Sequence, residues 1–196
     1  LPRSRGSESE LDFSDMKAFL TMPSPKDYGV VQCYIERNKT GTKKLYPEYS
    51  LFMKEGDRFL LAGKKRAKNR TSNYLISMDK GDLSRSSGSY LGKLRSNFIG
   101  TEFVLYDKGT NPEKLDDAQK DSSLIQARQE LGTVLYKQNV LGSRGPRKMK
   151  VAVPQVKSDM SRVVWRPLKK SEEMASRFKD RDMTGLIKLI NKPPRW

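Results

Sequence analysis

The sequence predicts a mainly β, antiparallel fold whose closure is incomplete. Two observations carry this. From Tyr28 onward, short apolar stretches are separated by Gly-, Asn-, Asp- and Ser-rich turn chemistry, the mark of an all-β domain. Antiparallel strands in that number need closure or a second layer to hide their edges. Yet only 35% of the 196 residues are hydrophobic, and no segment is apolar on all sides as the plug of a filled barrel would be. Either residues outside this chain supply the interior, or the fold is open.

Residues 1–27 read as a flexible N-terminal tail, Ser- and charge-rich at its start and ending in the linker Met22-Pro23-Ser24-Pro25. Within it, Met16, Phe19 and Leu20 have the spacing of one helical turn that docks on the domain. The domain itself spans 28–196. Strands are expected over 30–35, 49–53 and 58–62, the last two joined as a hairpin through Glu55-Gly56-Asp57. Further strands are expected over 73–78, 90–94 and 101–106, where apolar and β-forming types dominate between turn signals. A polar surface loop follows over 113–126, then strands over 129–138, 148–153 and 162–166. The tail is expected to form a short helix over 171–180 and a strand or second helix over 184–190, stopped by Pro193-Pro194.

Lys plus Arg number 39 and Asp plus Glu 23, a net charge of +16, which draws polyanions: nucleic acid, an acidic membrane surface or an acidic protein. The charge is clustered. Acids gather at Glu8, Glu10, Asp12 and Asp15 and again over 113–121. Cations gather over 64–70 and between Lys137 and Lys170, where Asp159 is the one acid. Interspersed signs would serve solubility; clustering points to a face with a purpose.

Several chemistries are excluded. No stretch approaches the roughly 20 apolar residues of a membrane-spanning helix. One cysteine cannot form an internal disulfide or a Cys-rich zinc site, and a lone thiol fits a reducing compartment. Without histidine there is no imidazole catalysis and no His metal site. The carboxylate pairs Asp116-Asp117 and Glu172-Glu173 lie in polar contexts, so no buried, shifted acid is expected. Cys33, on a strand, is expected to be a buried structural thiol. Phe59, Tyr74, Phe103, Tyr106 and Tyr136 read as core, and Trp165 as core or rim. An enzyme is not expected, and neither a cofactor nor a metal is implied.

Three cation clusters remain. Lys64-Lys65-Arg66-Ala67-Lys68-Asn69-Arg70 places five cations in seven residues between two strands. Such density repels itself unless an anion is bound, and ammonium and guanidinium groups from one turn can converge on a phosphate; a solvated basic loop or a localisation signal would have the same composition. In Gly92-Lys93-Leu94-Arg95 the two cations alternate with Leu94, so on a strand both face one side. Residues alone favour a solvated outer face there. The third, Gly142-Ser143-Arg144-Gly145-Pro146-Arg147-Lys148-Met149-Lys150, reads as a charged β-turn, although its cations could extend a basic surface.

The blocks Phe59-Leu60-Leu61-Ala62-Gly63-Lys64-Lys65-Arg66 and Thr71-Ser72-Asn73-Tyr74-Leu75-Ile76-Ser77 closely resemble the tubby-like family. So do Asp82-Leu83-Ser84-Arg85, Tyr90-Leu91-Gly92-Lys93-Leu94-Arg95-Ser96-Asn97, Tyr106-Asp107-Lys108-Gly109, Arg128-Gln129-Glu130-Leu131, Asn139-Val140-Leu141-Gly142 and Gly145-Pro146-Arg147-Lys148-Met149, in that order. The resemblance runs from about Tyr28 to Trp196. It implies a tubby-type antiparallel β-barrel without its last quarter, whose final strands and central helix would be the missing plug. With Leu1 at its start, the chain is expected to be a piece of a longer protein.

The resemblance also implies binding of phosphatidylinositol 4,5-bisphosphate and tethering of an adaptor or signalling protein at the cytoplasmic face of the plasma or ciliary membrane. Carried over by position, the headgroup residues are Lys64, Arg66 and Arg95, with Lys65, Lys93 and Lys68 as weaker candidates. Release to the nucleus, DNA binding by a transcription regulator on the same basic surface, and membrane cargo or trafficking partners are further expectations of the resemblance.

Overall fold

The computed structural model describes residues 11–24, 28–115, 127–137 and 148–191. Its frame is one nine-stranded antiparallel meander: β1 Cys33–Asn38, β2 Glu48–Met53, β3 Arg58–Lys65, β4 Asn73–Ser77, β5 Tyr90–Ser96, β6 Glu102–Asp107, β7 Glu130–Tyr136, β8 Met149–Pro154 and β9 Leu186–Leu189. Among the described residues each strand pairs only with its neighbours in sequence, so β1 and β9 are edges and the sheet is not closed. An unclosed antiparallel sheet is consistent with the incomplete tubby-type barrel that the resemblance implies.

Alternation divides the sheet into two faces. On one lies α1, Met16–Thr21, capped by Asp15, whose side chain accepts from the Ala18 amide. Its Met16, Phe19 and Leu20 pack with Phe13 against a cluster of Leu11, Met53 and Leu60. Arg58 closes that contact, its guanidinium 4.3 Å from the centre of the Phe13 ring. The helical turn expected from the Met16, Phe19, Leu20 spacing is therefore present and docked. On the other face lies α2, Met174–Lys179, whose Met174 and Phe178 build a second cluster with Ala152 and Leu186, edged by Trp165.

Several expectations need correction. The first strand lies at Cys33–Asn38 rather than 30–35. Cys33 is exposed, not buried, because an edge strand has a neighbour on one side only. Residues 162–166 form no strand: apart from one bridge between Val156 and Arg162 they run as an irregular cover. The Trp165 carbonyl accepts from the Glu130 amide at 2.9 Å, and its indole donates to the Glu172 carbonyl at 3.0 Å. The helix expected over 171–180 is a 3-10 turn, Lys170–Glu172, followed by α2. Of the two alternatives over 184–190, the strand is found. The aromatics expected in the core are buried only at Tyr106; Phe59, Tyr74, Phe103 and Tyr136 are half-buried in edge-on ring pairs. Residues 142–147 of the third cation cluster, most of the loop over 113–126, the pair Asp116-Asp117 and Pro193-Pro194 lie outside the described residues, while Met149 and Lys150 of that cluster open β8.

Candidate functional site

Register brings two of the cation clusters together. One row across the sheet runs Glu48, Lys64, Leu75, Lys93, Tyr106, Glu130. The next row on the same face begins at Arg66, whose amide donates to the Asn73 carbonyl at 2.8 Å, and continues through Arg95, Val104, Thr133 and Ala152. Lys64, Arg66, Lys93 and Arg95 thus share the face that carries α2, although the two clusters stand some 30 residues apart in sequence. Two interstrand steps separate the Arg66 and Arg95 backbones, about 10 Å. Lys65 pairs with Tyr74 and is set toward the α1 face. Lys68 stands in the β3–β4 turn with φ +58°.

The helix α2 covers the β7–β8 side of this face, and an open groove of about 650 Å³ lies between β2–β4 and the 80–84 loop, with Lys93 and Arg95 outside its lining. Lys64, Arg66, Lys68, Lys80 and Asp82 line it, and Lys65 borders it. Its floor is pinned by Ser77, whose hydroxyl donates to the Asp82 carbonyl at 2.9 Å and holds the 78–89 loop over the sheet. Lys64 is paired with Glu48, Nζ to Oε1 at 2.8 Å.

Lys93 departs most from expectation. Far from a solvated outer position, it is buried. Burial first, then the neighbouring Arg128, Arg85 and Arg95, push its ammonium down to about 8; Asp107 opposes them weakly. Arg128 is stacked 4.0 Å from the centre of the Tyr106 ring, and its Nη1 is buried without a hydrogen-bond partner among the described residues. Arg66 and Arg85 both act on the buried Tyr90 hydroxyl. Five cations therefore gather around Tyr90 and Tyr106, with Asp107, Glu130 and Glu173 as the acids beside them. Residue patterns offered no sign of Arg85 or Arg128 at this site: both come from loops, and only the folded register places them beside Lys93.

A buried, shifted acid is present as well, against expectation. Glu130 is 1% exposed, and its Oε2 accepts from the Met174 amide at 2.7 Å, capping α2 from the sheet. Burial raises its carboxyl from 4.5 to about 7, with Glu173 adding to the rise and the Met174 amide and Arg128 opposing it. Because the folded value lies above the unfolded one, the protonated form is favoured by folding. Stability should be greatest below about pH 4.5 for this group and fall as pH rises to about 7, by on the order of 2 kcal/mol. Urea midpoints at pH 5 and pH 8 should show the fall, and Glu130→Gln, which keeps an acceptor oxygen for Met174, should flatten it. Equal slopes for both proteins would place the pH dependence elsewhere.

The Tub family pattern matches residues 20–196. Tubby-related protein 2 of Mus musculus is 45% identical over 186 residues, which cover 93% of this chain and 32% of that protein. Tubby-related protein 3 of Mus musculus is 41% identical over 189 residues, covering 94% and 40%. Tubby protein homolog 1 of Caenorhabditis briggsae is 37% identical over 195 residues, covering 93% and 44%. The chain spans less than half the length of each of these relatives, and their names carry no enzymatic activity.

Proposed function

The chain belongs to the Tub family, and on that footing we propose that it is a phosphoinositide-binding module rather than an enzyme. Its ligand is the phosphatidylinositol 4,5-bisphosphate headgroup, and its task is to tether an adaptor or signalling protein at the cytoplasmic face of the plasma or ciliary membrane. One observation carries the reading: Arg66 and Arg95 stand in one cross-strand row on either side of Asn73, beside a buried Lys93 on which three arginines act and, among the acids, Asp107 alone, with no salt bridge to it among the described residues. Burying a cation is unfavourable unless it is paired. A bound phosphate supplies the missing charge, and guanidinium forks from two strands fix its orientation. Lys64 joins by exchanging Glu48 for the ligand, and Lys68 adds field from the turn.

Calorimetric titration with a soluble inositol phosphate carrying the adjacent 4,5 pair tests this. Each charge-assisted hydrogen bond is worth about 1.5–3 kcal/mol, so Arg66→Ala and Arg95→Ala should each weaken binding roughly tenfold or more. Duplex DNA titrated over a salt series provides the contrast, since contact with many phosphates gives a steep salt slope. Strong DNA binding that ignores both substitutions, with no headgroup binding, would replace this reading with that of a DNA-binding regulator.

A further inference from the structure

We propose that the end of the sheet carrying the β1–β2, β3–β4 and β5–β6 turns is a membrane-inserting rim, in which Phe98, Ile99 and Leu45 enter the interfacial layer of an anionic bilayer. The proposal rests on the headgroup reading above and adds how the bilayer itself is engaged.

A meander places alternate turns at one end. The pairs Asn38↔Glu48, Lys65↔Tyr74 and Ser96↔Phe103 close three of them there. Adjacent turns are tied: the Ser96 amide donates to the Ser72 carbonyl at 2.9 Å, and the Ser72 amide donates to Ser96 Oγ at 3.1 Å. Acids sort by end, while cations stand at both. Residues 39–47, 66–72 and 97–101 include Lys39, Lys44, Arg66, Lys68 and Arg70 and no acid, whereas Glu55, Asp57, Asp79, Asp82 and Glu113 all sit in turns at the opposite end.

Large apolar side chains stand among these cations. The β5–β6 turn is built by Asn97, whose Oδ1 accepts from the Thr101 and Glu102 amides at 3.0 and 3.2 Å, and by Gly100 at φ +72°. Phe98 and Ile99 have no part in that construction, belong to neither core cluster, and are 79% and 70% exposed; Leu45, in the β1–β2 turn, is 83% exposed. In water these side chains are a cost without return. At an acidic bilayer surface the surrounding cations supply attraction and the apolar tips supply burial, and Arg66 and Lys68, which help line the groove, stand at this same end.

The test uses the whole chain and vesicles containing the 4,5-bisphosphate lipid, with brominated acyl chains in a second series. In Phe98→Trp the added tryptophan should shift to the blue on vesicle binding and be quenched by bromine beyond the signal of the unsubstituted chain. Phe98→Ser/Ile99→Ser should lose at least tenfold in vesicle affinity while affinity for the soluble inositol phosphate stays within twofold. An unshifted, unquenched tryptophan, or undiminished vesicle affinity in the serine variant, overturns insertion and leaves the headgroup site standing. Failure of the unsubstituted chain to bind the soluble headgroup overturns the headgroup reading, and the rim falls with it.

Discussion

Replacing Lys93 with methionine is expected to stabilise the fold at neutral pH and to weaken headgroup binding at least tenfold. The ammonium is buried and held down to about 8 by desolvation and by Arg128, Arg85 and Arg95. A lysine whose folded value lies below its unfolded one, 10.5, favours folding only when neutral. Its penalty is absent above about pH 10.5 and grows as pH falls to about 8, so at pH 7 it is fully present. Methionine keeps the stem and removes the charge, a gain of about 1–2 kcal/mol. The same charge is needed for a phosphate, so affinity in the unsubstituted chain should decline as pH rises above about 8. Melting temperatures and headgroup titrations at pH 7 and pH 9 check both halves. A methionine variant that is less stable and binds equally well would remove Lys93 from the site.

Gly92→Ala should have the largest effect on the fold itself. A Cβ at Gly92 would lie 2.1 Å from the Tyr106 carbonyl oxygen and 3.3 Å from the Asp107 Cα, all backbone of β6. Neither strand can yield without moving Lys93 or Tyr106, so the loss should reach about 3 kcal/mol or more. Gly63→Ala is the matched control. Its Cβ would meet the Leu75 carbonyl oxygen at 3.6 Å, an ordinary contact, and it should lie within about 1 kcal/mol of the unsubstituted chain. Denaturant midpoints of the two variants that coincide would contradict the close approach of β5 to β6.

What residue patterns convey depends on how local the cause is. Strands β2 to β8 are legible because alternation and turn residues such as Glu55-Gly56-Asp57 act within a few positions. β1 is displaced because an edge strand with five exposed residues out of six leaves little apolar pattern to read. Val163, Val164 and Trp165 are strand-forming types put to another use, bridging the sheet to the 3-10 turn before α2 through Trp165. At the site, alternation shows that Lys93 and Arg95 share a face, but not that the face is covered. Glu130, Arg85 and Arg128 depend on register, which shifts at Ile76/Ser77 and at Leu105/Tyr106. A one-residue slip reverses which side chains meet, and no local pattern fixes such shifts.

Binding to vesicles that carry different phosphoinositides at fixed total charge tests the central claim most directly, with the unsubstituted chain compared with Arg66→Ala and Arg95→Ala. The account predicts preference for the 4,5-bisphosphate over isomers of equal charge, and its loss in both variants. Binding that follows vesicle charge alone, with each variant only slightly weakened, would contradict a headgroup pocket and leave a general polyanion surface.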